Sequence, residues 1–228
     1  MQTQPLTIAS MKPIKTIIAD DHKLFRKGLS SLFDDIPGVT VVGEASNGQE
    51  LLKLLKDIHP DLILLDLKMP LMDGIEATEQ IRIKYPDIKI IVLSMYEDER
   101  FIIHLLELGV NGYLLKNADP EEMEFTIDTV MTKDYCFNEQ ITNIMRKNLV
   151  STRKGKPNFD TNVEFTPREL QILKLVCKEM TNAEIGRELH LSSRTVEGHR
   201  KKILEKTGAK NTAGMVFFAI KNGLVDMV

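Results

Sequence analysis

Five polar side chains stand where short apolar runs end. Ile14 to Ala19 runs into Asp20 and Asp21, Leu62 to Leu65 into Asp66, Ile88 to Leu93 into Ser94, and Gly112 to Leu115 into Lys116. Runs of this length fit strands buried on both faces of a parallel sheet, and such sheets bind ligands outside the carboxyl ends of their strands. An acid pair at the first strand end would repel a phosphate, unless a divalent cation lies between them. Mg²⁺ takes hard oxygen ligands and keeps several waters, so two or three carboxylates suffice. A hydroxyl and an ammonium can hold the oxygens of a phosphoryl group, and an ionised carboxylate is a nucleophile that needs no general base. Taken singly, each residue has a plainer reading: Asp after an apolar run caps a helix or turn, Ser is turn chemistry, and Lys is surface. Taken together, they describe phosphoryl transfer to Asp66, a reaction that demands mainly positioning and charge neutralisation.

A second set of residues faces a different polyanion. Within Ser193 to Lys206, Val196, Ile203 and Leu204 fall on one side of a helical pattern, and Arg194, Arg200, Lys201, Lys202 and Lys206 on the other. A basic helix face of this kind can enter a major groove, where phosphate contacts supply affinity and base-edge contacts supply sequence choice.

The elements that must position these residues follow from periodicity. Five strand-like runs (the four above and Val39 to Val42) alternate with segments of helical spacing such as Phe25, Leu29, Leu32, Phe33 and Phe101, Ile102, Leu105, Leu108. Gly109 suits a helix stop, and Asp119-Pro120-Glu121-Glu122 a helix start. The pattern predicts a doubly wound α/β domain with a five-stranded parallel sheet. The first strand lacks the glycine-rich turn that a dinucleotide pyrophosphate needs. Beyond Tyr135 the pattern weakens, with a possible helix over Gln140 to Leu149 and an exposed basic linker at Ser151 to Pro157. Two capping boxes then follow, Thr166-Pro167-Arg168-Glu169 and Thr181-Asn182-Ala183-Glu184. Leu170, Leu173, Cys177 and Met180 are expected to line the first of these helices, and Ile185 and Leu189 the second. The turn His190-Leu191-Ser192 leads to a third helix stopped by Gly208, and a fourth runs from about Asn211 to Asn222. Such short helices around a tight turn form a small all-α helix-turn-helix domain.

Composition agrees with two modules. Residues 1–136 carry 14 basic and 23 acidic side chains, and residues 137–228 carry 16 and 10, so an acidic half precedes a basic one. The longest apolar runs are four or five residues, far short of the roughly 20 that a spanning helix needs, and no membrane role is expected. Cys136 and Cys177 lie far apart with no metal or redox spacing, which suggests free thiols in a cytoplasmic protein.

With these residues placed, the chain resembles a known family. Residues 14–134 are similar to the receiver domain of two-component response regulators, through Asp20-Asp21, Asp66 with Met69-Pro70, Asp73-Gly74, Ser94 and Lys116. The resemblance implies a flavodoxin-like fold in which Asp66 attacks the phosphohistidine of a sensor histidine kinase or a small acyl phosphate, with Ser94 and Lys116 assisting. It implies Mg²⁺ held by Asp21, Asp66 and the main-chain oxygen of Lys68, with Asp20 acting through water. Ser94 and Tyr113 match the family's conformational pair, in which the ring follows the hydroxyl inward. Tyr113 reads equally well as core filling. Lys68 and Met95-Tyr96 lie where the family varies.

Residues 163–228, after a linker over 135–162, resemble the LuxR-type DNA-binding domain of NarL/FixJ regulators, through Phe165 to Glu169, Asn182 to Ile185 and Thr195 to His199. That match sets Glu197, Gly198 and Lys201 toward base edges, and Arg194, His199, Arg200, Lys202 and Lys206 nearer the backbone. Glu197 either accepts from cytosine N4 or pairs with Lys201 one helical turn on. The implied function is a phosphorylation-controlled transcription regulator that binds double-stranded promoter DNA as a homodimer, with RNA polymerase a further partner. In its resting state the acidic module could cover the Arg194 to Lys206 face. The alternative is a regulator that binds DNA independently of phosphorylation. Independent enzymes fit poorly: dehalogenase-type phosphatases want a second Asp where Lys68 stands, and Ser94 with Lys116 has no oxyanion loop.

Overall fold

The fold is built on β3 (Leu62–Asp66), whose five residues are all buried. It has parallel neighbours on both sides, β1 (Ile14–Ala19) and β4 (Lys89–Ser94), and β2 (Val39–Ala45) and β5 (Gly112–Leu115) complete the sheet in the order β2-β1-β3-β4-β5. In this computed structural model the described residues are 12–95, 99–152 and 165–225. The sheet is flanked by α1 (Lys23–Asp35), α2 (Gly48–Leu54), α3 (Gly74–Lys84), α4 (Glu99–Leu108) and α5 (Pro120–Lys133). Every strand expected from the sequence is present. β2 runs to Ala45, longer than its apolar core implies, and β3 and β4 include Asp66 and Ser94 as their last residues.

The strand order reverses between β1 and β3, and a crevice opens at the carboxyl ends of the strands at such a switch point. Ala19 pairs with Leu65, so Asp20 and Asp66 leave the sheet side by side. Gly74 closes the crevice floor. A Cβ there would collide with the main-chain oxygen of Asp66, so only glycine lets α3 start this close to β3. Asp73 caps the same helix by accepting from the Ile75 and Glu76 amides.

The helix expected after the α/β region is α6 (Glu139–Thr152), which takes in Ser151 and Thr152 from the segment read as linker; residues 153–164 lie outside the described residues. The remaining helices are α7 (Pro167–Val176), α8 (Asn182–Leu189), α9 (Ser193–Thr207) and α10 (Thr212–Lys221). Both capping boxes form, Thr166 with Glu169 and Thr181 with Glu184. The turn between α8 and α9 uses His190 in the left-handed region, with the Leu191 amide donating to the Gly186 carbonyl. A Cβ at Gly186 would lie 2.7 Å from the Leu191 oxygen, so this turn also needs glycine. The buried face of α7 is Glu169, Ile172, Leu173 and Val176, rotated from the expected Leu170, Leu173, Cys177 and Met180. Glu169, on this buried face, pairs with Lys206 of α9.

By its internal contacts the chain divides into two units. One comprises the described residues of 1–96 and 114–128, the other those of 97–113 and 129–228. The division does not follow the sequence boundary at residue 134: α4, the start of β5 and the last turn of α5 belong with α6 to α10.

Candidate phosphoacceptor site and nucleic-acid interface

Asp66, Asp20 and Lys116 meet in one buried cluster. The Lys116 ammonium lies 2.8 Å from Asp66 Oδ2 and 2.6 Å from Asp20 Oδ2, and all three side chains are less than a tenth exposed. Lys116 is delivered there by β5, and its amide donates to the Ser94 carbonyl, which ties the ends of β4 and β5 together. Burial raises the Asp66 pKa above the ordinary carboxylate range, against the hydrogen bond and charge of Lys116, which lower it. For Lys116, burial alone would lower the pKa, but its close pairing with the carboxylates of Asp20 and Asp66 outweighs burial and leaves it raised. The cluster therefore holds two carboxylates around one ammonium, an arrangement with a charge to spare.

The spare charge tests whether a cation fits. Among the described residues, buried Asp20 Oδ2 has no aligned hydrogen-bond donor despite its ion pair. One ligand atom each from Asp20, Asp21, His22 and Asp66 lies within 4.8 Å of the others. This donor set suits a hard divalent ion. Lys68 is exposed two residues beyond Asp66, and an amide hydrogen bond from it lowers the Asp66 pKa.

Three contributors escaped the sequence reading. His22 sets Nδ1 2.7 Å from Asp21 Oδ1, holding the more exposed acid of the pair in place. Phe25, expected only as an apolar residue of α1, lies under the Lys116 ammonium with its ring centre 5.0 Å away, a cation–π contact. Arg26 donates to the Asp20 carbonyl at 2.5 Å and pairs with Glu44. The adjacency of His22 to the acid pair was the only signal in the sequence. Phe25 and Arg26 are placed by the pitch of α1 against β1, which local pattern does not encode.

Ser94 is fully buried at the end of β4. Tyr113, on β5, is only 3% exposed, so its ring already sits in the core.

The basic helix α9 divides its cations. Arg194, Glu197, Gly198, Lys201 and Lys202 are exposed and His199 is half-buried, and among the described residues Glu197 and Lys201 form no ion pair. Gly198 has open space where a Cβ would stand, so the fold does not require glycine there. Arg200 and Lys206 are engaged within the protein. Lys206 Nζ lies 2.6 Å from Glu169 Oε2, and that hydrogen bond holds the Glu169 pKa below the ordinary range. Arg200 donates to Asn182 Oδ1 at 2.6 Å, to Thr212 Oγ1 at 2.6 Å and to Asp134 Oδ2 at 2.9 Å. The sequence showed both as outward cations, because their acceptors lie at least 12 residues away.

Comparison with known proteins separates the same two regions. The family model for the response regulator receiver domain matches residues 16–128, and that for bacterial regulatory proteins of the luxR family matches residues 163–219. The chain is 35% identical over 217 residues to the oxygen regulatory protein NreC of Staphylococcus carnosus, covering 93% of this chain and all of that one. It is 35% identical over 204 residues to the nitrate/nitrite response regulator protein NarL of Escherichia coli, covering 90% and 94%. Among solved structures it is similar to a LuxR-family two-component response regulator from Aurantimonas, with TM-score 0.57 and 29% identity over 61% of this chain and 99% of that one. It is also similar to the Salmonella typhimurium RcsB response regulator, with TM-score 0.55 and 25% identity over 90% and 97%. The aspartate cluster at the sheet's switch point, the helix-turn-helix that follows and these matches lead to one conclusion: the chain belongs to the two-component response regulators that join a receiver domain to a LuxR-type helix-turn-helix domain, and is a transcription regulator of that family.

Proposed function

We propose that Asp66 is the phosphate acceptor of this regulator and that its modification controls binding of α9 to promoter DNA. The observation that carries this reading is the Lys116 ammonium between Asp66 and Asp20, in a buried crevice where β1 and β3 part. An Asp66 carboxylate oxygen attacks the phosphorus of a sensor kinase phosphohistidine, or of a small acyl phosphate. The new P–O bond forms as the P–N or P–O bond to the donor breaks; the imidazole leaves and takes a proton from solvent, and an acyl donor leaves as its carboxylate anion. Lys116 and Ser94 hold the phosphoryl oxygens, and hydrolysis later returns the carboxylate. Asp21, Asp66 and the Lys68 carbonyl, with Asp20 acting through water, would hold Mg²⁺, which would supply neutralisation of the phosphoryl charge. Leu24 and Met95, 85% and 74% exposed, give the site an apolar rim suited to a docking kinase.

Phosphorylation shifts a pre-existing two-state equilibrium through Ser94 and Tyr113, favouring a homodimer that sets two α9 helices on adjacent half-sites about one helical turn apart. Arg194, Lys202 and His199 meet phosphates, while Glu197, Gly198 and Lys201 face base edges. A regulator of this kind acts in the bacterial cytoplasm, where kinase, chromosome and RNA polymerase meet. The exposure of Arg194, Glu197, Lys201 and Lys202 supports a second reading, DNA binding independent of phosphate.

One experiment separates the two. Wild type and Asp66→Asn are incubated with an acyl phosphate and Mg²⁺, then assayed for aspartyl phosphate and for DNA affinity. The first reading expects labelling of wild type alone, with tighter DNA binding on labelling. Equal affinity in all four states would support the second reading, and equal labelling of the mutant would remove Asp66 from the chemistry.

A further inference from the structure

Asp134 occupies an unusual position. It follows the last residue of α5 with φ 78°, in the left-handed region that non-glycine residues seldom adopt, aspartate more often than most. Its main chain is held on one side: Asn111 Nδ2 donates to the Asp134 carbonyl at 2.6 Å, and the Asn111 carbonyl accepts from the Cys136 amide at 2.8 Å. Asn111 is fully buried and lies two residues before Tyr113. The side chain is held on the other side: Asp134 Oδ2 accepts from Arg200 Nη2 of α9 and from Thr212 Oγ1 of α10, both at 2.9 Å. Arg200 Nη2 also donates to Thr212 Oγ1, which makes a closed triangle. One residue is thus fixed through its backbone to Asn111, immediately before β5, and through its carboxylate to two helices of the DNA-binding region. Nearby bonds run the same way: Asn211 Nδ2 donates to the Gly109 carbonyl, Lys221 pairs with Glu107, Lys133 with Glu179, and the Tyr135 hydroxyl donates to the Val176 carbonyl.

We propose that Asp134 is a latch residue that stands in for a DNA phosphate on Arg200 and releases it when the β5 segment carrying Asn111 and Tyr113 moves. The proposal rests on the phosphoacceptor reading above and adds the residue through which it acts on α9. The chemistry is a competition. A guanidinium fork binds a carboxylate or a phosphate with the same two-pronged geometry, so an Arg200 held by Asp134 is one cation fewer for the duplex. The exposed Arg194, Lys201 and Lys202 need no release, so the latch grades the affinity and does not abolish binding. Asp134 is tied to Asn111 through its carbonyl and to Arg200 and Thr212 through its carboxylate, so moving Asn111 pulls the carboxylate away from Arg200.

The test uses the full chain and a labelled mixed-sequence duplex of about 30 base pairs, with affinity measured by fluorescence anisotropy across a range of salt, with and without acyl phosphate and Mg²⁺. The Asp134→Asn side chain still accepts from Thr212 but carries no charge for Arg200. Unphosphorylated Asp134→Asn is expected to bind about tenfold more tightly than wild type. Its log-affinity against log-salt slope should steepen by about one, the signature of one added phosphate contact, and phosphorylation should add little more. A folded Asp134→Asn with the affinity and slope of unphosphorylated wild type would overturn the latch, as would weaker binding. If Asp134→Asn does not fold, Thr212→Val, which opens the same triangle, is expected to shift affinity in the same direction, and an unchanged value would overturn the latch equally. Absence of aspartyl phosphate in wild type would instead defeat the phosphoacceptor reading, while the comparison without acyl phosphate still decides the latch.

Discussion

Asp66 is held where its own ionisation opposes folding. Burial raises its pKa, and the Lys116 ammonium compensates only in part because it is shared with Asp20. A carboxylate whose folded pKa lies above its unfolded value contributes stability that is complete below the unfolded pKa and lost as pH rises through the folded one. A neutral amide escapes that loss. Asp66→Asn is therefore expected to melt at a higher temperature than wild type at about pH 7 without divalent ions, and the gap should close toward roughly pH 4, where wild type is itself protonated. Thermal melts across that range check the sign, and a mutant less stable at neutral pH would mean that the ion pair with Lys116 outweighs burial. Added Mg²⁺ should narrow the gap by stabilising only the wild type. Burying Asp66 costs stability, and its position beside Asp20, with one ammonium between two carboxylates, supplies the attraction for a cation.

At the level of elements, α9 separates structural from functional demands residue by residue. Val196 and Ile203 are buried, Lys206 locks α9 to α7 through Glu169, and Arg200 locks it to α8 and α10. Gly198 has no such duty, since a Cβ there meets nothing within 4 Å. Glycine inside a helix costs about 0.5–1 kcal/mol relative to alanine. Gly198→Ala is expected to raise unfolding stability by about that amount in urea melts, while weakening affinity for a selected DNA site, because on the proposed base-reading face the added methyl would stand where a base edge approaches. Gain of stability with unchanged DNA affinity would take Gly198 off the base-reading face. Glu169 shows how far local reading reaches. Its role as the third residue of the Thr166 capping box was visible in the sequence, but its burial and its second partner Lys206, 37 positions on, were not. A capping box is a four-residue pattern, whereas the rotation of α7 that buries Glu169 is set by the helix it packs against.

For the whole molecule, an acidic first half and a basic second half are joined in one chain, and the family assigns them to phosphate sensing and DNA binding. Coupling the two through a dimer makes a definite prediction. Sedimentation of wild type at micromolar concentration should shift from monomer toward dimer on addition of acyl phosphate and Mg²⁺, and Asp66→Asn should not shift. A wild type whose sedimentation ignores complete phosphorylation would remove dimerisation from the mechanism and leave the latch at Asp134 to act within one chain.

The sequence by itself determined the five strands, the helix caps and the carboxyl-end positions of Asp20, Asp21, Asp66, Ser94 and Lys116, because period, cap chemistry and strand ends are local properties written within a few residues. It also determined the family, through motifs that lie at those same places. Only the tertiary structure decided that Lys116 is divided between two carboxylates over the ring of Phe25, that Tyr113 is already buried, that Arg200 and Lys206 are occupied, and that Asp134 joins Arg200 to Asn111 just ahead of β5. Apart from the burial of Tyr113, each of these pairs residues 12 to 96 positions apart, Arg200 with Thr212 and Lys116 with Asp20 being the extremes, and which distant groups meet is set by how the faces of packed elements align, a property of the assembled fold that no window of sequence contains.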